Sequence, residues 1–271
     1  MTTLSTIELA RVLEFGEAEA YVDMFAAAPS ELGLRVERIG QTVALMASNL
    51  PIVLFNRVIG LGIDQPATES AVTDIVHMYS DARIPTYGIQ LGSVVNPPQL
   101  SDWLRTHRFA HRGNWAKIYC KPELTVTAAT DLRIERVGRE HAPDCARVTV
   151  ASFGMPPLLI PWLTNLVGRE GWQHFIAFDG QAAVAAGALF IKNRIGWVGM
   201  TGTLSSHRKR GAQAAIIARS IAASAQAGCD WVIAETDEDT PTHPNPSYHN
   251  MLRTGFSLAY QRANYIFAST S

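Results

Sequence analysis

The sequence predicts an α/β protein with a mixed sheet, arranged as two tandem domains of one fold, and three observations predict it. The first is length, since 271 residues exceed one ordinary domain and give each of two halves enough chain for its own core. The second is an internal repeat. NPPQLSDWLRTHRF, from Asn96, matches NPSYHNMLRTGF, from Asn245, through Leu-Arg-Thr, and the correspondence pairs Leu104 with Leu252, Phe109 with Phe256 and Ala116 with Ala263. The third is the alternation of short apolar runs with helix-like stretches.

The second half shows the elements most clearly. LRIERVG, from Leu132, alternates as a strand does, REHAPDCARVTVASFG reads as a helix stopped at Gly154, and LLIPWLTNLVG fits a second helix. WQHFIAFDGQAAVAAGALFI is two apolar runs around Asp179-Gly180, a hairpin signal because a tight turn takes residues that tolerate positive φ. Ile195 to Leu204 is strand-like, rich in β-branched and aromatic residues, and leads through a basic turn into an alanine-rich helix that Gly228 can stop. Trp231 to Ala234 suits a buried parallel strand, and SLAYQRANYIF is the last strand. In the first half LRVERIGQTVALMA and VLFNRVIGLG parallel the hairpin and the strand after it. TESAVTDIVHMYSDARI parallels the long helix, and TYGIQLG the strand beyond that helix. The domains are expected at 1–125 and 130–271, joined near KPELTVTAATD.

The basic turn, SHRKRG from Ser206, looks built to hold a diphosphate. Gly211 allows close backbone approach, the helix behind it supplies unpaired N–H groups and the positive end of its dipole, and Arg208, Lys209 and Arg210 add charge. Neither a Walker loop nor a three-glycine dinucleotide fingerprint is present. A solvated basic helix start is the plainer alternative.

The turn resembles the coenzyme A loop of the GNAT acetyltransferase superfamily, Gln/Arg-x-x-Gly-x-Gly/Ala, with Arg208 and Gly211 in the first and fourth places. Gln213, in the sixth, departs from it. NPSYHNMLRTGF also resembles the superfamily, in which an Asn-containing helix ends at Gly-Phe before the last strand. The resemblance covers about Leu132 to Phe267. It implies two tandem GNAT-like acyl-CoA acyltransferase domains, with acetyl-CoA as acyl donor substrate and a small-molecule or peptide amine as acceptor.

From the same resemblance, backbone amides of Thr201, Gly202, Thr203 and Leu204 would stabilise the oxyanion, Gly202 taking unusual backbone angles. The diphosphate would sit on Lys209, Arg210, Gly211, Ala212, Gln213 and Ala214, beside Arg208. Asn245 and Asn250 would bind coenzyme A or cap their helix. Glu235, ending an apolar strand, is the candidate general base. Met251 stands where many members carry a catalytic tyrosine, so Tyr248, one turn earlier, is the candidate acid. Trp162, Trp172 and Met155 would wall the acceptor pocket or fill the core. Asp237, Glu238 and Asp239 would attract a cationic amine or form a solvated loop.

At the place of the basic turn the first half has GIDQPATES, with Asp64 and Glu69 and no cation, so it is not expected to bind coenzyme A in the usual way. It would cover or position the acceptor site, or act structurally. Apolar content of 47% is ordinary for a globular chain, and a net charge of −1 gives no general pull toward nucleic acid or anionic membrane. The acidic N-terminal stretch does not read as a signal peptide, and no apolar run approaches a membrane span, so the chain is expected in the cytoplasm. Three scattered cysteines and eight histidines lack metal-ligand spacing. Two other functions are compatible with these residues: a non-catalytic acyl-CoA sensor or scaffold, and a nucleic-acid binder that uses HRKR as a phosphate clamp.

Overall fold

The structure, a computed structural model, describes residues 4–268. Two compact units divide the chain, one comprising residues up to Lys117 together with the segment from Leu258, the other Ile118–Ser257. The first and last three residues of the expected domain spans lie outside the described residues.

The first unit runs α1 (Thr6–Ala26), β1 (Leu34–Ile39), β2 (Thr42–Ala47), β3 (Arg57–Ile59), α2 (Glu69–Asp81), β4 (Thr86–Leu91), α3 (Leu100–Thr106) and β5 (Phe109–Cys120), whose last residues pass into the second unit. The second continues with β6 (Arg133–Val137), α4 (Ala142–Phe153), α5 (Ile160–Leu166), β7 (Trp172–Asp179), β8 (Ala182–Lys192), β9 (Ile195–Thr203), α6 (Ala212–Gln226), β10 (Trp231–Asp237) and α7 (Pro246–Arg253). The last strand, β11 (Ser257–Ala268), returns to the first unit.

Each unit builds its mixed sheet the same way. In the first, β1 and β2 are antiparallel, β2 pairs antiparallel with β3, and β3 pairs parallel with β4 through Val58 and Ile89. In the second, β6, β7, β8 and β9 form an antiparallel run that ends in a parallel β9–β10 pair. Helix α3 leads into β5 as α7 leads into β11, in the order the repeat predicts. No helix among the described residues is long and apolar enough to cross a membrane.

The structure departs from the expected span of 130–271 at its last strand. Residues from Leu258 belong with the first unit because β11 lies antiparallel to β4, in a register that sets Ala263 against Leu91 and Phe267 against Tyr87. Its side chains join that unit's core, where Tyr87 stacks on Tyr79 at 4.0 Å between ring centroids and on Phe267 at 5.0 Å.

Helix α1 falls in the stretch singled out in the sequence only for its acids, and its start carries a capping box. Ser5 accepts from the Glu8 N–H while the Glu8 carboxylate accepts from the Ser5 N–H at 2.8 Å. Two acids further along, Glu14 and Glu17, are fully buried. Arg262 of β11 donates to Glu14 at 3.0 Å and to Glu17 at 2.8 Å, Arg57 of β3 donates to Glu17 at 2.8 Å, and Lys117 of β5 pairs with Glu17 as well. Tyr260 donates its hydroxyl to Glu14 at 2.7 Å. Charges this deep in a protein are tolerated only when paired, so the cluster fixes where α1 lies on three strands.

Burial by itself would raise the Glu17 carboxyl, but the charges of Arg262, Lys117 and Arg57 more than reverse it and hold it below the ordinary carboxylate range. A group depressed in the folded state contributes stability above its unfolded pKa and loses it as pH falls. Glu17→Gln is expected to cost about 3–5 kcal/mol of unfolding free energy at neutral pH. It is also expected to flatten the decline in stability below about pH 4.5, the ordinary value for this carboxyl. Urea unfolding of both proteins between pH 3 and pH 7, in steps of about half a unit, checks both.

Candidate functional site

The site begins where two parallel strands part. Strands β9 and β10 pair from Ile195 with Trp231 through Val198 with Ala234, and the register stops there although β9 continues to Thr203 and β10 to Asp237. On its other edge β9 stays with β8, but a bulge sets Met200 and Thr201 against Gly187 alone, between the pairs Ala188–Gly199 and Ala186–Gly202. The bulge increases local twist and turns β9 away from β10.

Gly202 is free to take unusual backbone angles, but the positive φ of this stretch, 54°, falls on Met200. Gly202 serves a different need: a Cβ there would lie 2.6 Å from the Ser152 Cβ of α4, so only a glycine lets that helix pack this close. Thr203 stays paired with Ala185, and the Leu204 N–H donates to the Val184 carbonyl at 2.9 Å, which removes it from the set of free amides.

From Leu204 the chain makes one short turn and enters α6 through Gly211, which has φ of 79°. Both its angle and its surroundings require glycine, since an added Cβ would sit 2.1 Å from the Ala129 carbonyl oxygen. No side chain caps α6, so the N–H groups of Ala212, Gln213 and Ala214 stand at the open end of a 15-residue helix with its positive dipole end beside them.

The three cations of the turn differ in their commitments. Arg208 and Lys209 are exposed and form no ion pair or hydrogen bond among the described residues. Arg210 is engaged, its guanidinium donating to both Asp131 oxygens at 3.1 Å and to Asp179 at 2.6 Å. Those bonds depress both carboxyls. The Thr130 hydroxyl also donates to the Arg210 carbonyl at 2.7 Å. Arg210 thus holds the loop onto the segment before β6.

Across the opening lies α7. Asn245 is its N-cap, accepting from the Ser247 and Tyr248 N–H groups at 3.0 and 3.3 Å and donating to Thr236 and the Asp237 carbonyl at the end of β10. Asn250 donates to Gln213 at 2.7 Å and accepts from Arg253 at 2.8 Å. Gln213 in turn donates to the Thr201 carbonyl at 3.3 Å and to the Ser247 hydroxyl at 3.0 Å. Glu235 is the first residue of β10 past its last pair with β9, and it is half-buried. Tyr248 is half-buried on α7, its ring set edge-on to His249, and its hydroxyl makes no hydrogen bond among the described residues. Met251 is buried, so the place of the usual tyrosine is core here.

The acidic run is partly committed, with Asp239 accepting from the Asn245 N–H at 2.6 Å and facing His249 at 3.2 Å. Trp162 and Trp172 are core residues, 0% and 5% exposed, and Met155 is half-buried. One exposed aromatic ring near the site comes from a residue that sequence reasoning does not single out. Phe153 is 49% exposed at the end of α4, with its ring beside Gly202. Its spacing along α4 matches that of buried Thr149, so no sequence signal separates it from the core.

Equally unmarked in the sequence is His174 of β7, which lines a cavity of about 10 Å³, room for about one water, with Cys145, Thr149 and Met200. Burial pushes its pKa down to about 4. In the first unit the turn before α2 is closed differently: the Thr68 hydroxyl accepts from the Ala71 N–H at 3.1 Å, and Asp64 pairs with Arg11 at 3.4 Å. One N–H of that helix start thus has a side-chain partner, and an acid rather than a cation stands beside it.

No family model and no curated protein sequence matches the chain. Solved structures do match. It superposes on a GCN5-related N-acetyltransferase from Kribbella flavida with a TM-score of 0.67, over 95% of this chain and 96% of that one, at 15% identity. A GCN5-related N-acetyltransferase from Sphaerobacter thermophilus matches at a TM-score of 0.62 over 84% and 80%, with 12% identity. The fold is therefore that of the GCN5-related, or GNAT, acetyltransferases. It is the tandem form of that fold, since the chain also superposes on a tandem GNAT protein from the clavulanic acid biosynthesis pathway over 98% and 96%, with a TM-score of 0.61 and 14% identity.

Gly211→Ala is expected to lower the unfolding free energy by about 1–3 kcal/mol, through positive φ and the collision with Ala129. His174, neutral in the folded state and ordinarily protonated near pH 6.5, is expected to drain stability as pH falls from about 6.5 to about 4. A His174→Leu variant should lose that slope, which acid titration of the melting temperature reads directly.

Proposed function

We propose that the protein is a cytoplasmic N-acetyltransferase that moves an acetyl group from acetyl-CoA to a primary amine. The observation that carries this reading is the uncapped start of α6 with unengaged Arg208 and Lys209, next to two parallel strands that part. A diphosphate suits that donor set, because backbone N–H groups and a helix dipole favour an anion and two free cations add attraction. Arg208, Lys209 and the amides of Gly211 to Ala214 would hold it. Bound there, coenzyme A would supply an activated thioester. In the overall reaction the amine nitrogen gains a bond to the acetyl carbon, the carbon–sulfur bond breaks, and the amine's proton leaves with the thiol.

The remaining roles are assigned by position. Amides of the bulged stretch around Thr201 to Thr203 would face the charge that develops on the carbonyl oxygen. Glu235, at the mouth of the opening, would take the amine's proton, and Tyr248 would supply one to sulfur. Asn245 and Asn250 support the site by fixing α7. The acceptor is a small-molecule or peptide amine, and the exposed Phe153 beside Gly202 favours one with an apolar part. A second reading, an acyl-CoA sensor without turnover, is favoured by Met251 in the core and by the filled position of Gln213.

Calorimetric titration with acetyl-CoA tests the proposal. The Arg208→Ala, Lys209→Ala double variant is expected to bind at least about tenfold more weakly with an unchanged melting temperature. Arg210→Ala is expected to weaken binding and also to lower the melting temperature, because its guanidinium holds the loop through Asp131 and Asp179. A folded wild-type protein that does not bind acetyl-CoA would overturn the reading, and acetylation of a panel of amines separates enzyme from sensor.

A further inference from the structure

We propose that Gln213 sets the affinity for the acyl donor, acting as a latch across the β9–β10 opening that must swing aside before the donor's amide-bearing arm can lie along β9. This rests on the reading of the site as a coenzyme A site. Gln213 is the second residue of α6, at the place where the loop pattern otherwise has Gly or Ala. Its carboxamide reaches three groups: Nε2 donates to the Thr201 carbonyl at 3.3 Å and to the Ser247 hydroxyl at 3.0 Å, and Oε1 accepts from Asn250 at 2.7 Å. One side chain thereby ties the bulge of β9 to the face of α7 across the gap.

The need for such a contact is visible in the strand register. Thr201 belongs to the bulge, and β10 has left β9 at Val198, so no neighbouring strand on that edge offers a donor to the Thr201 carbonyl. Thr201 is 8% exposed, too buried for water to serve freely. A buried carbonyl wants a partner, and the Gln213 amide supplies the N–H that a strand would have supplied.

The arm of coenzyme A between diphosphate and sulfur carries two secondary amides, which are the same kind of donor and acceptor. With the diphosphate at the start of α6, an arm entering the opening passes the place Gln213 now occupies. Arm and side chain therefore compete for the Thr201 carbonyl. The contact most easily given up is the one to that carbonyl, which at 3.3 Å is longer than a good N–H···O bond. Apparent donor affinity is then the intrinsic affinity scaled by the fraction of molecules with the latch open.

Acetyl-CoA titrated into folded wild-type and Gln213→Ala proteins tests the latch. The variant is expected to bind about tenfold tighter, because it no longer has to break the bridge. Equal or weaker binding by the variant, with binding by the wild type, overturns the latch and leaves the coenzyme A reading standing. Absence of binding in both overturns the latch together with the reading beneath it. Should Gln213→Ala not fold, Ser247→Ala removes one anchor without touching β9 and is expected to tighten binding by about threefold; no change there overturns the proposal.

Discussion

The site depends on one constraint: every buried backbone carbonyl and amide needs a partner, and β9 loses its partner strand at Val198. The surrounding elements compensate for that loss. A bulge at Met200 and Thr201 turns the strand, the Gln213 carboxamide takes over one carbonyl, and Asn245 ties the free end of β10 to α7. The open helix start of α6 is the same problem at a helix end, left unsolved by any side chain. An unsatisfied set of N–H groups beside a parted pair of strands is a place for a ligand. In the first unit the matching helix start has one N–H capped by Thr68 and a turn that carries Asp64 and no cation, so the two copies of one fold do not present the same surface to an anion.

A second dependency holds the first unit together. Glu14 and Glu17 sit on α1 beside buried Leu13 and Ala18, and their partners come from β3, β5 and β11. Arg262 lies near the far end of the chain. The cluster therefore closes only when the last strand has joined the first unit, so α1 and β11 depend on each other for their charge balance. Replacement of one member leaves its partners buried without compensation, which is a larger effect than the loss of a surface pair.

Much of the fold is legible in the sequence because it is written in local periodicity. The Asp179-Gly180 hairpin and the alanine-rich helix between Gly211 and Gly228 rest on patterns within about thirty residues, and the parallel between the segments at Asn96 and Asn245 rests on two such patterns resembling each other. The site is legible in part for the same reason. Gly211, Arg208 and Lys209 are recognisable from spacing, and Asn245 from its place before a helix. Arg210 is not separable from its two neighbours in the turn, because its engagement depends on Asp131 and Asp179, which lie far away in sequence. Phe153 and Trp162 are both aromatic residues in one helical region, and only packing exposes the first and buries the second.

The sequence by itself determined most of the elements and their order, the repetition of one fold, and the presence of an anion-ready turn, since local patterns and the likeness of one segment to another are both visible along the chain. The tertiary structure decided which unit owns the last strand, which acids are buried, which cation of three is spent on structure, and that Gln213 fills the opening. Those outcomes turn on hydrogen-bond and charge partners brought together from distant positions, and a linear pattern carries no record of who meets whom.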